Sequence, residues 1–175
     1  MTNELTTNLN QIETLVEETA DYSIYKTPEG KYEKRMKYSQ FWSRTPETEE
    51  EMVELYSIMN EQDNELVIPF KRAIGEVLEI KHVFFNPYNS FDEETGQSTT
   101  GVTTTLETYD GKYYATSSKT VYYNLQNIFK TFGTPGTPNY LGVKVAIKST
   151  KAKYGDQISL AVLGLASKPQ AKTVN

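Results

Sequence analysis

The stretch GVTTTLETYDGKYYATSSKTVYYNLQNIFKTFG, residues Gly101–Gly133, decides how this chain folds. Gly101–Tyr109 is rich in β-branched residues with near period-2 alternation, which predicts a half-buried strand. Asp110-Gly111 follows, and Asp-Gly between two strand patterns is a hairpin signal, so Lys112–Ser118 reads as an antiparallel partner. The period then changes from 2 to 3.6: Val121, Leu125, Ile128, Phe129 and Phe132 fall on one face of a helix, stopped by Gly133 with Pro135 beyond.

Outward from this stretch, Glu76–Phe85 (EVLEIKHVFF) predicts a strand before the hairpin. Leu141, Val143, Val145 and Ile147 alternate with small or basic residues, and Ile158, Leu160 and Val162 repeat the pattern after a turn at Lys151–Asp156. A mainly β chain with helices accounts for this order: a five-stranded OB-fold Greek-key barrel with one helix between strands 3 and 4, preceded by an N-terminal helical extension. The strand faces and loops of that fold commonly bind oligonucleotides. Four segments are expected: a flexible acidic arm (1–21), an extension with one helix (22–65), the OB-fold domain (66–166) and a flexible basic tail (167–175). The arm shows only a weak helical spacing at Leu9, Ile12, Leu15 and Val16. In the extension, Thr45-Pro46 and the acids that follow predict a capped helix start, and Met52, Leu55, Tyr56 and Met59 its apolar face.

At 175 residues the chain can bury one substantial core. No run of about 18 apolar residues predicts a membrane span, and MTNELTTNLN has neither the basic nor the apolar part of a secretory signal. The absence of Cys removes disulfides and thiolate chemistry and suits a reducing cytoplasm. Net charge is −5, yet residues 1–65 hold 6 Lys/Arg against 15 Asp/Glu, whereas residues 112–175 hold 9 Lys against one acid, Asp156. Such asymmetry points to a polyanion-binding face beside an acidic region.

Catalytic patterns are scarce. The only histidine, His82, sits inside a predicted strand and reads as structural. Asp92, Glu93 and Glu94 lack the spacing of a calcium loop, and no phosphate-loop, dinucleotide or serine-elbow motif occurs. No enzyme activity, cofactor or metal is expected. Aromatic and basic residues are instead interleaved on the sheet, the pattern that stacks bases and follows phosphates of single strands. Strand geometry places one of Phe84-Phe85 and one of Tyr113-Tyr114 on each face, and Phe85 and Tyr114 are taken as the outward pair. A loop at Asn86–Gly101 contributes Tyr88 and Phe91, and the last hairpin (KSTKAKYGD) contributes Lys148, Lys151, Lys153 and Tyr154. Lys81, Lys112, Lys119 and Lys144 complete the phosphate contacts. Trp42, beside Arg44, reads as a packing anchor.

From about Tyr38 to Leu163 the chain resembles the small single-stranded-DNA-binding proteins of bacteriophages and mobile elements of Gram-positive bacteria. The likeness rests on Glu94–Gly96, the DGKYYATSSK hairpin at Asp110–Lys119, the FGTP turn at Phe132–Pro135 and the KSTKAKYG hairpin. The resemblance implies an OB-fold that coats single-stranded DNA during phage or plasmid replication without chemistry of its own. Host-type proteins of this kind end in an acidic recruiting tail, whereas Ser167–Asn175 is basic, so replication partners are expected at the acidic N-terminal region. The other class the composition allows is a virion structural or adaptor protein packing through its tyrosines; metal-dependent processing through Asp92, Glu93 and Glu94 is weaker.

Overall fold

The computed structural model describes residues 13–60, 63–94 and 96–167. Within them the chain is mainly β, with ten strands and two α-helices. Contacts gather into two compact units, one built on the residues up to Tyr38 with Asn89–Thr100, the other on Ser39–Tyr88 with Gly101 onward.

The first unit contains an antiparallel sheet in the order β1 (Thr14–Glu18), β2 (Tyr22–Lys26), β3 (Tyr32–Met36). Thr14–Glu18 is therefore a strand hydrogen-bonded to β2, from Thr14 opposite Lys26 to Glu18 opposite Ser23, where the sequence reads as an arm. All five of its residues are exposed, which removes the alternation that marks a half-buried strand. The rest of the expected arm, residues 1–12, lies outside the described residues. Three of the cations here have local partners: Arg35 bridges Glu13 (2.7 Å) and Glu33 (3.2 Å), Lys37 bridges Glu18 (2.6 Å), and Lys34 sits 3.8 Å from the Tyr22 ring centroid. From the residues 89–100, the Thr100 hydroxyl donates to the Met36 carbonyl (3.0 Å).

In the second unit lies most of a seven-stranded sheet. Its strands are β4 (Phe41–Trp42), β5 (Val67–Pro69), β6 (Val77–Asp92), β7 (Gln97–Thr108), β8 (Tyr113–Thr116), β9 (Val143–Ala152) and β10 (Gly155–Leu165). The order is β10-β9-β6-β7-β8-β5, with β4 paired to β6. Asn86–Gly101 is thus not a loop. β6 runs to Asp92 and β7 begins at Gln97, and the Asp92 carboxylate and carbonyl accept from the Glu94 and Gly96 amides (2.9 and 2.8 Å) to close the turn. A strand partner supplies the hydrogen bonds that this Asn-, Pro- and Ser-containing segment does not advertise.

The Asp110-Gly111 hairpin forms as read. The Gly111 amide donates to the Thr108 carbonyl and the Thr108 amide to that of Lys112, with Gly111 at φ 80° where other residues are strained. Helix α2 (Lys119–Phe132) follows, its N-terminus capped by the Ser118 hydroxyl, which accepts from the Val121 amide (3.4 Å). Val121, Leu125 and Ile128 are buried as the spacing predicts. α2 is stitched to β10, where Asn124 accepts from the Leu160 amide (3.0 Å) and Ser118 donates to the Ile158 carbonyl (3.0 Å).

Helix α1 (Glu49–Asn60) starts later than expected, because Thr48 rather than Thr45 accepts from the Glu51 amide (3.2 Å). Its buried face is Leu55 and Ile58; Met52 and Tyr56 are exposed. Leu55 and Ile58 pack on Phe84 and Tyr113, with Trp42, Met59 and Val67 around them. The Trp42 indole stands edge-on to Phe84 (6.0 Å) and donates to Asn86 (3.0 Å), the arrangement of a packing anchor. Phe85, on the opposite face of β6, packs against Tyr122 (4.8 Å) and Phe129 (6.2 Å) of α2. Both faces of the sheet are thus covered here, one by each helix.

Candidate nucleic-acid interface

That double cover corrects the expected outward pair. Phe85 and Tyr114 are 1% and 2% exposed, and Phe84 and Tyr113 are buried as well. The Tyr114 hydroxyl donates to Glu76 (3.0 Å), and burial together with this carboxylate pushes its pKa up to about 12. Neither ring can stack on a base from these positions.

Open surface lies at the exit of β8. One groove of about 450 Å3 is lined by the end of α1 (Met59, Asn60), by Asn64, by Tyr88 of β6 and by Thr116 and Ser117. A second, of about 530 Å3, is lined by the same Thr116 and Ser117, by Lys71, and by Tyr154 and its neighbours at the β9–β10 tip. Thr116 and Ser117 line both grooves, and each groove carries an exposed tyrosine, Tyr88 (42%) in the first and Tyr154 (91%) in the second; the two grooves together are termed the track. β5 pairs parallel with β8, Val67 opposite Tyr113 and Pro69 opposite Ala115, and so brings Lys71 to the track. Buried Phe70 anchors the 3-10 turn Phe70–Arg72 that carries this lysine.

The expected lysines divide by their partners. Lys81 reaches Glu107 (3.5 Å), whose other oxygen takes the Arg44 guanidinium (2.7 Å). Lys112 pairs with Asp110 (3.2 Å) and Lys144 with Glu79 (3.1 Å). The Ser167 amide and then Lys144 hold the Glu79 carboxyl below the usual carboxylate range. Lys119, Lys148, Lys151 and Lys153, by contrast, are exposed and form no ion pair with the described residues, and neither does Lys71. Lys148 and Lys151 are three residues apart on β9, so they point to opposite faces. Lys153 and Tyr154 form the turn itself, with the Lys153 ammonium 5.4 Å from the Tyr154 ring centroid. Phe91 is exposed and belongs to the other compact unit.

His82 is a satisfied structural histidine. Its Nδ1 meets the Ser43 hydroxyl (3.1 Å), which also accepts the Val83 amide (2.9 Å). Burial lowers its pKa against the opposing pull of Glu107. Among the described residues no group of three or more His, Cys, Asp or Glu is placed to hold a metal ion, and no helix is long and apolar enough to cross a membrane.

Lys71, Asn60, Asn64, Thr116 and Ser117 are additions that the sequence alone did not single out. Lys71 depends on a three-residue parallel pairing between distant segments, which leaves no local pattern. Its one signal is the Phe70-Lys71-Arg72 order, an anchor followed by cations.

The phage single-stranded DNA-binding protein family model matches residues 37–163. The chain is also 34% identical over 157 residues to the single-stranded DNA-binding protein of Bacillus phage GA-1, covering 88% of this chain and 91% of that one. No solved structure matches the chain. The matched span holds β6 to β9, α1, α2 and the two grooves, and the chain belongs to the phage single-stranded DNA-binding protein family.

Proposed function

We propose that this protein coats single-stranded DNA during phage replication by laying the strand along the Tyr88–Ser117–Tyr154 track of an OB-type barrel. The observation that carries this reading is the pairing of exposed rings with uncompensated cations: Tyr88 and Tyr154 line two grooves that share Thr116 and Ser117, Lys71 lines the second, and Lys151 and Lys153 lie at the neighbouring hairpin tip. Exposed aromatic rings accept any base through its π-face, while cations follow the phosphates, which gives sequence-tolerant binding. Lys119, two residues beyond Ser117, adds charge beside this path and Lys148 points to the face opposite Lys151, whereas Lys81, Lys112 and Lys144 are held by acids of the protein itself. Duplex DNA hides its base faces and has nothing to offer Tyr88 or Tyr154.

On this reading the protein works by binding in the host cytoplasm and has no chemistry of its own, and the acidic N-terminal region is the part suited to replication partners. Titration of fluorescently labelled single-stranded and duplex oligonucleotides of equal length tests it. Tight, sequence-indifferent binding to the single strand with much weaker binding to the duplex is expected. Absence of binding to either would return the exposed tyrosines to the other class, subunit packing in a virion.

A further inference from the structure

We infer that Gly101 is a positioning residue that makes Tyr88 a stacking platform for a base in the groove beside α1. The inference rests on the track described above and adds to it how one platform is held. Gly101 is buried on β7, the strand next to β6, and the Tyr88 ring lies directly over its backbone. A Cβ at position 101 would overlap the ring, coming within 2.5 Å of the Tyr88 hydroxyl oxygen and 2.9 Å of Cε1. The ring therefore occupies the space that any side chain at 101 would fill. The hydroxyl end of the ring rests against strand backbone, and the groove of about 450 Å3 lies alongside, with the polar groups of Asn60, Asn64, Thr103, Thr116 and Ser117 at its walls.

Two features separate this from a glycine needed for folding. Gly101 is not among the residues with positive φ, so its backbone conformation is open to alanine. What an added methyl meets is the far end of a single side chain, which can swing aside at small cost. Gly101→Ala is thus expected to leave the sheet intact and lift Tyr88 off its seat. A ring that has lost its support must be ordered by the ligand, and that entropy is subtracted from binding.

The test is a double-mutant cycle with Gly101→Ala, Tyr88→Ala and the double variant, measuring affinity for a labelled oligothymidylate alongside thermal melting. Tyr88→Ala is expected to weaken binding roughly tenfold, the scale of one stacked base. Gly101→Ala is expected to lose a similar factor, and the double variant no more than either single one, because both changes remove the same platform. If Gly101→Ala lowers the melting temperature, Tyr88→Ala should restore it by removing the clash. Full affinity in Gly101→Ala while Tyr88→Ala binds poorly would overturn the inference and leave the track standing. So would multiplicative losses in the double variant, or a melting defect that Tyr88→Ala does not relieve. Full affinity in Tyr88→Ala would overturn both the inference and the place of Tyr88 in the track.

Discussion

Two regions of the second unit carry cations and tyrosines in similar numbers and use them in opposite ways. At the centre of the sheet, Arg44 and Lys81 close on the buried carboxylate of Glu107, and Arg44 also donates to the Tyr113 hydroxyl (3.2 Å). At the β9–β10 tip, Lys151 and Lys153 have no acidic partner among the described residues and Tyr154 is almost wholly exposed. The difference teaches that lysine content is not the same as charge available to a ligand. A cation already held by a desolvated carboxylate contributes to folding, and one in open solvent is free to replace the counterions of a polyanion.

The comparison breaks first at Glu107. Glu107→Ala would leave Arg44 and Lys81 without their acceptor in a half-buried site, and a stability loss of about 3 kcal/mol is expected in urea unfolding. Affinity of the still-folded variant for single strands should not fall. Weakened binding at unchanged stability would show that the central network faces DNA.

The next largest effect is expected at the tip. Tyr154→Ala removes a ring that packs on little of the protein, so the melting temperature should hold while single-strand binding weakens by about 1–3 kcal/mol. A fall in stability with intact affinity would reverse the roles assigned to the two regions. The smallest effect is expected for Lys144→Ala. Its partner Glu79 is itself held by the Ser167 amide, so affinity and its salt dependence should both stay within error of the parent. A clear loss in a filter-binding assay would return Lys144 to the interface.

Much of the fold was legible locally. The spacing from Val121 to Phe132 and Gly133 mark α2 without any tertiary information, and Asp110-Gly111 marks the β7–β8 hairpin. The alternation from Val143 to Ile147 and from Ile158 to Val162 marks the last two strands. The misread segments are those whose structure is imposed from elsewhere. β1 and the outer parts of β6 and β7 show no buried face, and β5 exists only through its parallel pairing with β8.

The site was legible in kind more than in place. Period-2 reasoning correctly sends Phe84 and Phe85, or Tyr113 and Tyr114, to opposite faces. It assumes that one face is open, however, and here α1 covers one and α2 the other. Tyr88 and Tyr154, both expected at the site from the sequence, are exposed. Lys71 and the shared residues Thr116 and Ser117 needed the three-dimensional arrangement.

The central claim is that the uncompensated cations of the track, and not the lysine-rich composition as such, meet the phosphates. The most direct measurement is the slope of log affinity against log salt for a single-stranded oligonucleotide, compared between the parent and the triple variant Lys71→Ala, Lys151→Ala, Lys153→Ala. Each lost phosphate contact lowers the slope by roughly 0.7, so a decrease of about 2 is predicted with the melting temperature unchanged. An unchanged slope in the triple variant would contradict the account.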